Sequence, residues 1–122
     1  MNPLISIIVP IYNSDSFLDQ TINSIISQTY TQWELILVNN GSSDRSKFLM
    51  DSYEKKDQRI KCIHFEKNSG GPAFPRNEGM KISKGEYVAF LDADDFWEKE
   101  KLVKQISLID SNTKLIISSE AY

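Results

Sequence analysis

The sequence predicts an α/β fold, with a Rossmann-like, mostly parallel sheet and helices on both faces. Two observations predict it. Short runs rich in Ile and Val alternate with longer segments of helical spacing, in the order β-α-β-α-β-α-β-α-β. Polar clusters also follow the predicted strands, which is where open α/β sheets bind ligands. At 122 residues the chain has the length of one domain, and we expect residues 1–122 to form a single domain.

Five apolar runs predict the strands. The first, residues 4–9, is continuous and is closed by Pro10, which is typical of a strand buried on both faces. The remaining strands are predicted at residues 33–38, 60–65, 86–91 and 114–118.

Four segments between these runs predict helices. Asn13, Ser14 and Ser16 offer N-caps for the first helix, and Asp44 can cap the second. The first apolar stripe consists of Leu18, Ile22, Ile25, Ile26 and Thr29, and the second helix carries Phe48, Leu49, Met50 and Tyr53.

The third and fourth helices are predicted at residues 73–84 and 98–110. The third contains Gly79, which weakens a helix interior, and Pro75, which is tolerated only in a first turn and favours a late start. The fourth is amphipathic, with Leu102, Val103, Ile106 and Ile109 on one stripe.

Composition limits the class of protein. The net charge is −3 and basic residues are scattered, so we expect no nucleic-acid partner. Cys62 is the single cysteine, which excludes an intramolecular disulfide and gives no argument for an oxidising compartment. The start lacks a signal-peptide pattern, and no apolar run approaches the roughly 20 residues that span a bilayer. We expect a cytoplasmic location.

Three carboxylates, Asp92, Asp94 and Asp95, directly follow the fourth predicted strand. Such a cluster repels itself unless a cation lies among the oxygens, and Mg²⁺ or Mn²⁺ prefers oxygen ligands. The alternative is a solvated acidic turn that caps the next helix. Similar polar clusters follow the other strands, at residues 12–13, 39–41 and 68–70. Their common placement favours a ligand site.

Several nucleotide-handling templates are excluded by position. No Gly-x-Gly-x-x-Gly follows the first strand, and no Gly-Lys-Ser/Thr loop exists. There is no Gly-x-Ser-x-Gly nucleophile elbow, and the first strand is not followed by the acids of a receiver domain. His64 is the only histidine, and its position inside the third strand favours a structural role.

Five segments together carry a family resemblance. They are residues 7–13 (IIVPIYN), 24–29 (SIISQT), 34–44 (ELILVNNGSSD), 76–79 (RNEG) and 85–95 (GEYVAFLDADD). In this order and spacing the chain resembles the family 2 glycosyltransferases of GT-A fold. The resemblance implies a nucleotide-sugar donor, usually UDP-linked, a divalent metal, Mg²⁺ or Mn²⁺, and transfer to a saccharide or lipid-linked acceptor.

The resemblance also implies roles for single residues. Asp94 matches the metal ligand of the family's Asp-x-Asp motif, and Asp92 matches its first acid, near the ribose or the metal. Asp95 is a third candidate, as an outer ligand or a helix cap. Pro10 and Tyr12 match the loop that holds the base, and Asn13 is a further donor-binding candidate. Arg76 matches a residue that contacts the phosphates, and an ion pair with the aspartates is the open alternative.

Two departures from the family pattern affect the expected site. Asn39 and Asn40 stand where most relatives have two aspartates, the second of which accepts a hydrogen bond from the base. Both asparagines are therefore donor-binding candidates with an uncertain base preference.

The second departure concerns the acceptor half. Relatives continue beyond the equivalent of Tyr122, and we expect the general base of an inverting transfer there. The chain therefore resembles the donor-binding part of such an enzyme. The alternatives are a non-catalytic module that binds a nucleotide sugar or a metal, or a dimerisation module. Homodimerisation and work at the inner membrane face are further expectations.

Overall fold

The computed structural model describes residues 2–108 and the backbone of residues 116–117. The strands are β1 (Ile5–Ile11), β2 (Trp33–Asn40), β3 (Ile60–Phe65), β4 (Tyr87–Phe90) and β5 (Ile116–Ile117). The helices are α1 (Leu18–Ile26), α2 (Ser46–Lys56), α3 (Ala73–Ile82) and α4 (Lys101–Ser107). All strand pairs are parallel, in the order β3-β2-β1-β4-β5. The predicted fold class is confirmed. No helix in the described part of the chain has the length and apolarity needed to cross a membrane.

The central strand β1 is buried on both faces, as its unbroken apolar run predicts. On one face Ile7 packs in a cluster that includes Leu18 of α1, Met50 of α2 and Leu102 of α4. Ile8 lies on the other face, where it contacts α3. Helices therefore cover both faces of the sheet, with α3 on the side opposite the other three.

Gly79 has a packing role inside α3. A Cβ at this position would lie 2.7 Å from Cγ2 of Ile8, too close for a side chain without a shift. The glycine lets α3 lie close against β1, which explains a residue that weakens a helix in isolation.

The first strand runs two residues past its predicted end, through Pro10 to Ile11. Pairing with β4 ends near Ile8, whose carbonyl accepts a hydrogen bond from the N–H of Leu91. The backbone nitrogen of Pro10 faces β4, as this carbonyl does, but it lies beyond the last residue of β4 that pairs with β1. The missing N–H of proline therefore breaks no ladder hydrogen bond.

The predicted side-chain caps of the first helix, Asn13, Ser14 and Ser16, are wrong. The helix begins at Leu18, its N-cap is Phe17, and no side chain caps it. The main-chain carbonyl of Ser14 accepts from the N–H groups of Phe17 and Leu18 instead. Thr29 lies beyond the helix, where its N–H donates to the carbonyl of Lys99.

The remaining boundaries differ by a few residues. β2 continues to Asn40, α3 ends at Ile82, and α4 begins at Lys101. Pro75 does not delay α3, because it lies in the first turn of a helix that begins at Ala73. Ile109, Asp110 and most of the fifth predicted strand lie outside the described residues. Three of the apolar residues named for the predicted helices are exposed: Ile26, Phe48 and Val103.

A buried carboxylate joins the strands at the edge opposite the polar loops. Glu34 accepts hydrogen bonds from the hydroxyl of Ser6 at 2.5 Å and from the N–H of Lys84 at 2.6 Å, and it pairs with Lys61 at 3.4 Å. Burial alone raises the pKa of Glu34, but these hydrogen bonds and the Lys61 ammonium bring it below its ordinary value of 4.5. The contacts join β2 to β1, to β3 and to the loop before β4.

We expect Glu34→Gln to lower the free energy of unfolding at pH 7 by about 1–3 kcal/mol. Because the folded-state pKa of Glu34 is depressed, its contribution is present above the unfolded value of 4.5 and is lost as pH falls. The variant should therefore lose less stability on acidification than the parent chain. Urea unfolding between pH 7 and pH 3 measures both effects. Glu86→Gln, at an exposed residue beside β4, is the control. Parallel pH curves for parent and Glu34→Gln would contradict the prediction.

Candidate functional site

A cleft of about 340 Å³ opens at the carboxyl edge of the sheet. Its lining residues come from the end of β1, the end of β2, the loop that leads into α3 and the first turn of α3: Pro10, Ile11, Tyr12, Asn40, Asn68, Gly70, Gly71, Pro72 and Pro75. Three of the predicted donor-binding residues, Pro10, Tyr12 and Asn40, therefore line one cleft. Tyr12 keeps 52% of its surface exposed, so its ring is accessible for stacking.

Asn13 directly follows Tyr12, a cleft residue, but its side chain binds the loop after β2. Its φ is +47°, a left-handed conformation that asparagine tolerates. Its Oδ1 accepts from the N–H groups of Ser43 and Asp44 at 2.8 and 3.3 Å, and its own N–H donates to Oγ of Ser42. Asn13 thus ties the loop after β1 to the loop after β2, and its contact with a donor stays a prediction.

Asp44 takes part in the same pair of loops. Its carboxylate accepts from the N–H of Ser46 at the start of α2 and from the N–H of Asp15. Burial alone raises the pKa of Asp44, but these hydrogen bonds hold it below its ordinary value. The predicted cap is wrong, because the N-cap of α2 is Arg45 and no side chain caps the helix. Asp44 instead bonds the N–H of Ser46, the first residue of α2, and the first loop.

Asn39 is buried, with 3% of its surface exposed, and does not line the cleft. Its Oδ1 accepts from the N–H of Ser42 at 2.9 Å, which fixes the amide orientation and turns Nδ2 toward Nδ1 of His64 at 3.1 Å. Nδ1 is therefore an acceptor, so the imidazole proton lies on Nε2 and is donated to Asp51 at 2.8 Å. His64 has the structural role that its strand position predicts, while donor binding by Asn39 stays a prediction.

The acidic segment, residues 92–95, begins two residues after the end of β4. Asp92 pairs with Arg76 of α3, with 3.2 Å between Oδ1 and Nη2. Both side chains are well exposed, at 51% and 38%, so this ion pair adds little to stability. Asp94 is also exposed, and the carboxylate of Asp95 accepts from the N–H of Phe96. Of the two interpretations of Arg76, the structure contains the ion pair, and contact with phosphates stays a prediction.

Polar side chains on α1 and just after its end hold this acidic segment, and sequence reasoning missed them. The buried hydroxyl of Thr21 lies 2.8 Å from the carbonyl of Ala93 and 2.7 Å from that of Asp95. Oγ of Ser24 accepts from the N–H of Trp97, and Gln28 bonds to the backbone of Glu98 and Leu102. Their spacing of three and four residues was a signal, since it places Thr21 and Ser24 on one face of α1 and Gln28 just beyond its end.

The acidic segment fits a divalent cation in chemistry. Asp92 and Asp94 offer exposed carboxylate oxygens, the ligands of Mg²⁺ and Mn²⁺, and such ions commonly use one or two protein carboxylates beside substrate phosphates. Among the described residues, the carboxylate oxygens of Asp92, Asp94 and Asp95 do not all lie within 4.8 Å of one another. The three acids therefore do not form a closed three-ligand site. A cation here would need oxygens from a ligand as well.

Another group of ligand-type atoms lies away from the cleft. Donor atoms of Asp51, Cys62 and His64 all lie within 4.8 Å of one another. The imidazole proton on Nε2 points at Asp51, however, and Sγ of Cys62 lies 3.3 Å from the carbonyl of Met50. Burial and the neighbouring acids Glu54 and Asp51 raise the pKa of the thiol to about 12. The group is therefore satisfied by hydrogen bonds and a protonated thiol, and we assign no metal to it.

Comparison with known proteins gives consistent matches. The model of the glycosyl transferase family 2 matches residues 6–122. The putative teichuronic acid biosynthesis glycosyltransferase TuaG of Bacillus subtilis (strain 168) is 41% identical over 107 residues, 88% of this chain and 42% of TuaG. The Escherichia coli UDP-Glc:alpha-D-GlcNAc-diphosphoundecaprenol beta-1,3-glucosyltransferase WfgD is 40% identical over 109 residues, 89% of this chain and 42% of WfgD. The chain thus spans less than half the length of these relatives.

A solved structure shows the same architecture. The crystal structure of S. aureus TarS 1-349 in complex with UDP-GlcNAc superposes with a TM-score of 0.79 and 35% identity. The match covers 84% of this chain and 30% of the TarS 1-349 chain. The sheet and helices described above are therefore those of a glycosyltransferase of GT-A fold.

We expect Thr21→Val to loosen the acidic segment without changing the shape of the core. The substitution removes a buried hydroxyl near two carbonyl groups, which should lower the free energy of unfolding by about 1–3 kcal/mol. Hydrogen exchange at residues 93–97 should accelerate more than exchange in β2. Thr31→Val, at an exposed residue, is the control. Unchanged exchange at residues 93–97 would show that Thr21 does not hold the segment.

We expect Asn39→Asp to change the protonation of His64. A carboxylate can accept a hydrogen bond from Nδ1 but cannot donate one to it. In the variant we therefore expect Nδ1 of His64 to carry a proton, whereas in the parent chain only Nε2 does. Because the chain has one histidine, ¹⁵N NMR of the imidazole nitrogens reports on it without ambiguity. Gln58→Glu, an exposed amide-to-acid change, is the control. The same tautomer in parent and Asn39→Asp would contradict the assigned hydrogen bonds.

Proposed function

Since the chain belongs to glycosyl transferase family 2, we propose that it is the donor-binding part of an enzyme that transfers a sugar from a nucleoside-diphosphate sugar, a UDP-sugar, to an acceptor. The observation that carries this proposal is the cleft at the carboxyl edge. It combines an exposed aromatic ring, Tyr12, with the backbone of a Gly-Gly loop, and the acidic segment follows the strand next to β1 at the same edge.

The cleft suits a nucleoside. A base can stack on the half-exposed ring of Tyr12, and Pro10 and Pro75 provide rigid apolar walls. Uracil is the proposed base because WfgD is named for UDP-Glc and the TarS structure contains UDP-GlcNAc. Both proteins share 35% identity or more with this chain over the matched region.

We assign the donor's diphosphate to the acidic segment, through a divalent cation held by Asp94 and Asp92. When bound, such a cation neutralises the charge that builds on the departing diphosphate. The protein's own contribution is positioning. Thr21 holds the backbone of the segment, and the guanidinium of Arg76 pairs with Asp92 and can turn to a phosphate oxygen.

The acceptor is proposed by analogy with the relatives. WfgD is named for a sugar on diphosphoundecaprenol, a lipid carrier, and TuaG for teichuronic acid biosynthesis. We therefore propose a saccharide, free or lipid-linked, as the acceptor. A cytoplasmic location beside the membrane that holds such carriers belongs to the same proposal.

Titration of UDP into the 122-residue chain tests the donor site directly. Isothermal calorimetry is run with Mn²⁺ and again with EDTA, and CDP and GDP provide the comparison between bases. The proposal expects binding of UDP that EDTA abolishes or weakens strongly, because the diphosphate reaches the acids through the metal. Absence of UDP binding with Mn²⁺ would contradict the proposed donor site.

We expect Asp94→Ala to weaken Mn²⁺-dependent UDP binding by at least about tenfold, or about 1.4 kcal/mol. Asp94 is exposed in a loop, so the fold should persist, with unchanged thermal unfolding as the check. Glu86→Ala is the matched control, because it removes an exposed carboxylate at the opposite end of β4. Equal losses in both variants would indicate a general effect of charge and would remove Asp94 from the metal site.

A further inference from the structure

The side chain of Asn40 spans the loop that forms one wall of the cleft. Its Oδ1 accepts from the N–H of Ser69 at 3.1 Å, and its Nδ2 donates to the carbonyl of Gly71 at 3.2 Å. Asn40 is 3% exposed, so these contacts are shielded from water. Because only the oxygen can accept and only the nitrogen can donate, the loop fixes the orientation of the amide.

A second asparagine reinforces the same junction. Nδ2 of Asn68 donates to the main-chain carbonyl of Asn40 at 3.1 Å, and its Oδ1 accepts from the N–H of Gly70 at 2.7 Å. Gly41, at φ +76°, brings the two backbones into contact, since a Cβ there would lie 2.4 Å from the nitrogen of Asn68. The end of β2 and residues 67–71 therefore form one tied unit.

This tied unit determines where the cleft wall lies. Asn40, Asn68, Gly70 and Gly71 all line the cleft, and Gly70 adopts φ +96°, a conformation that glycine reaches without strain. A glycine pair has little intrinsic preference for one conformation, so its position depends on the side chains that bind its backbone. Asn40 binds residues on both sides of Gly70.

An amide and a carboxylate are not equivalent at this position. An aspartate could still accept from the N–H of Ser69, but its second oxygen would face the carbonyl of Gly71. One hydrogen bond would be replaced by repulsion between two oxygens at a buried site. From the family resemblance we expect an acid that contacts the base at this position. Here an amide bonds to the loop through both of its polar atoms, which gives the position a different role.

On the basis of the proposed donor site, we propose that Asn40 is a positioning residue: its side-chain amide holds residues 69–71 as the wall of the nucleotide cleft, and this role requires an amide. The wall is then set before the nucleotide arrives, which reduces the entropy lost on binding. Loss of the tie should weaken binding of every nucleoside diphosphate to a similar extent.

The test compares Asn40→Asp with the parent chain in two independent measurements. Hydrogen exchange in the free protein follows the N–H groups of Ser69, Gly70 and Gly71, and calorimetry with Mn²⁺ measures affinity for UDP, CDP and GDP. We expect faster exchange at these three residues and about tenfold weaker binding of each nucleotide that the parent binds, the loss of about one hydrogen bond. Gln58→Glu, an exposed amide-to-acid change, should alter neither measurement.

A second variant keeps the test decisive if Asn40→Asp does not fold. Asn68→Ala removes the neighbouring tie without adding charge, and it should shift exchange and affinity in the same direction. Unchanged hydrogen exchange in the folded variants would overturn the proposal. A change only in the preference among the three bases would also overturn it, because it would assign Asn40 to base recognition. If the parent binds no nucleotide, the proposed function fails, while the exchange data still decide whether Asn40 holds the loop.

Discussion

Parallel pairing of β1 with both β2 and β4 is the constraint on which the rest of the structure depends. Ile5 is in register with Trp33 on one side and with Tyr87 on the other, so the three strands start level and point the same way. Their carboxyl ends meet at one edge of the sheet. Residues that are far apart in sequence, Tyr12, Asn40 and Asp92, are consequently brought to the same edge, and the cleft forms beside the switch in strand order that is typical of ligand sites.

Strand pairing alone does not order the loops, and polar side chains complete the site. Asn13 ties the first loop to the second, Asn40 ties the second to the third, and Thr21 holds the acidic segment against α1. In each case a side chain bonds to main-chain groups of another loop; the side chains of Asn40 and Thr21 are buried, and Asn13 is exposed. Such bonds order the backbone before any ligand is present, which is the condition for a preformed site. The residues that order the loops are therefore as informative as those that line the cleft.

The contacts of the two adjacent asparagines give a physical reason for this departure from the family pattern. Asn39 faces His64 and Asn40 faces the Gly-Gly loop, and each uses its amide both to accept and to donate. An aspartate could supply only the accepting half of either pair. The contacts depend on β3 and on the loop before α3, about 25 to 31 residues away in sequence, so no inspection of the motif itself could have shown them.

The sequence by itself determined the α/β class, the order of the elements, the strand β3 to its exact ends and the family, because apolar periodicity and contiguous motifs are local properties. It also brought Pro10, Tyr12 and Asn40 forward as candidates, and all three line the cleft. Only the tertiary structure decided that β1 continues through Pro10. Because β4 ends before this point, no β4 carbonyl needs the N–H that proline lacks. It likewise decided the tasks of Asn13, Thr21 and Asn39, because hydrogen bonds between loops depend on which chain segments the parallel sheet brings together.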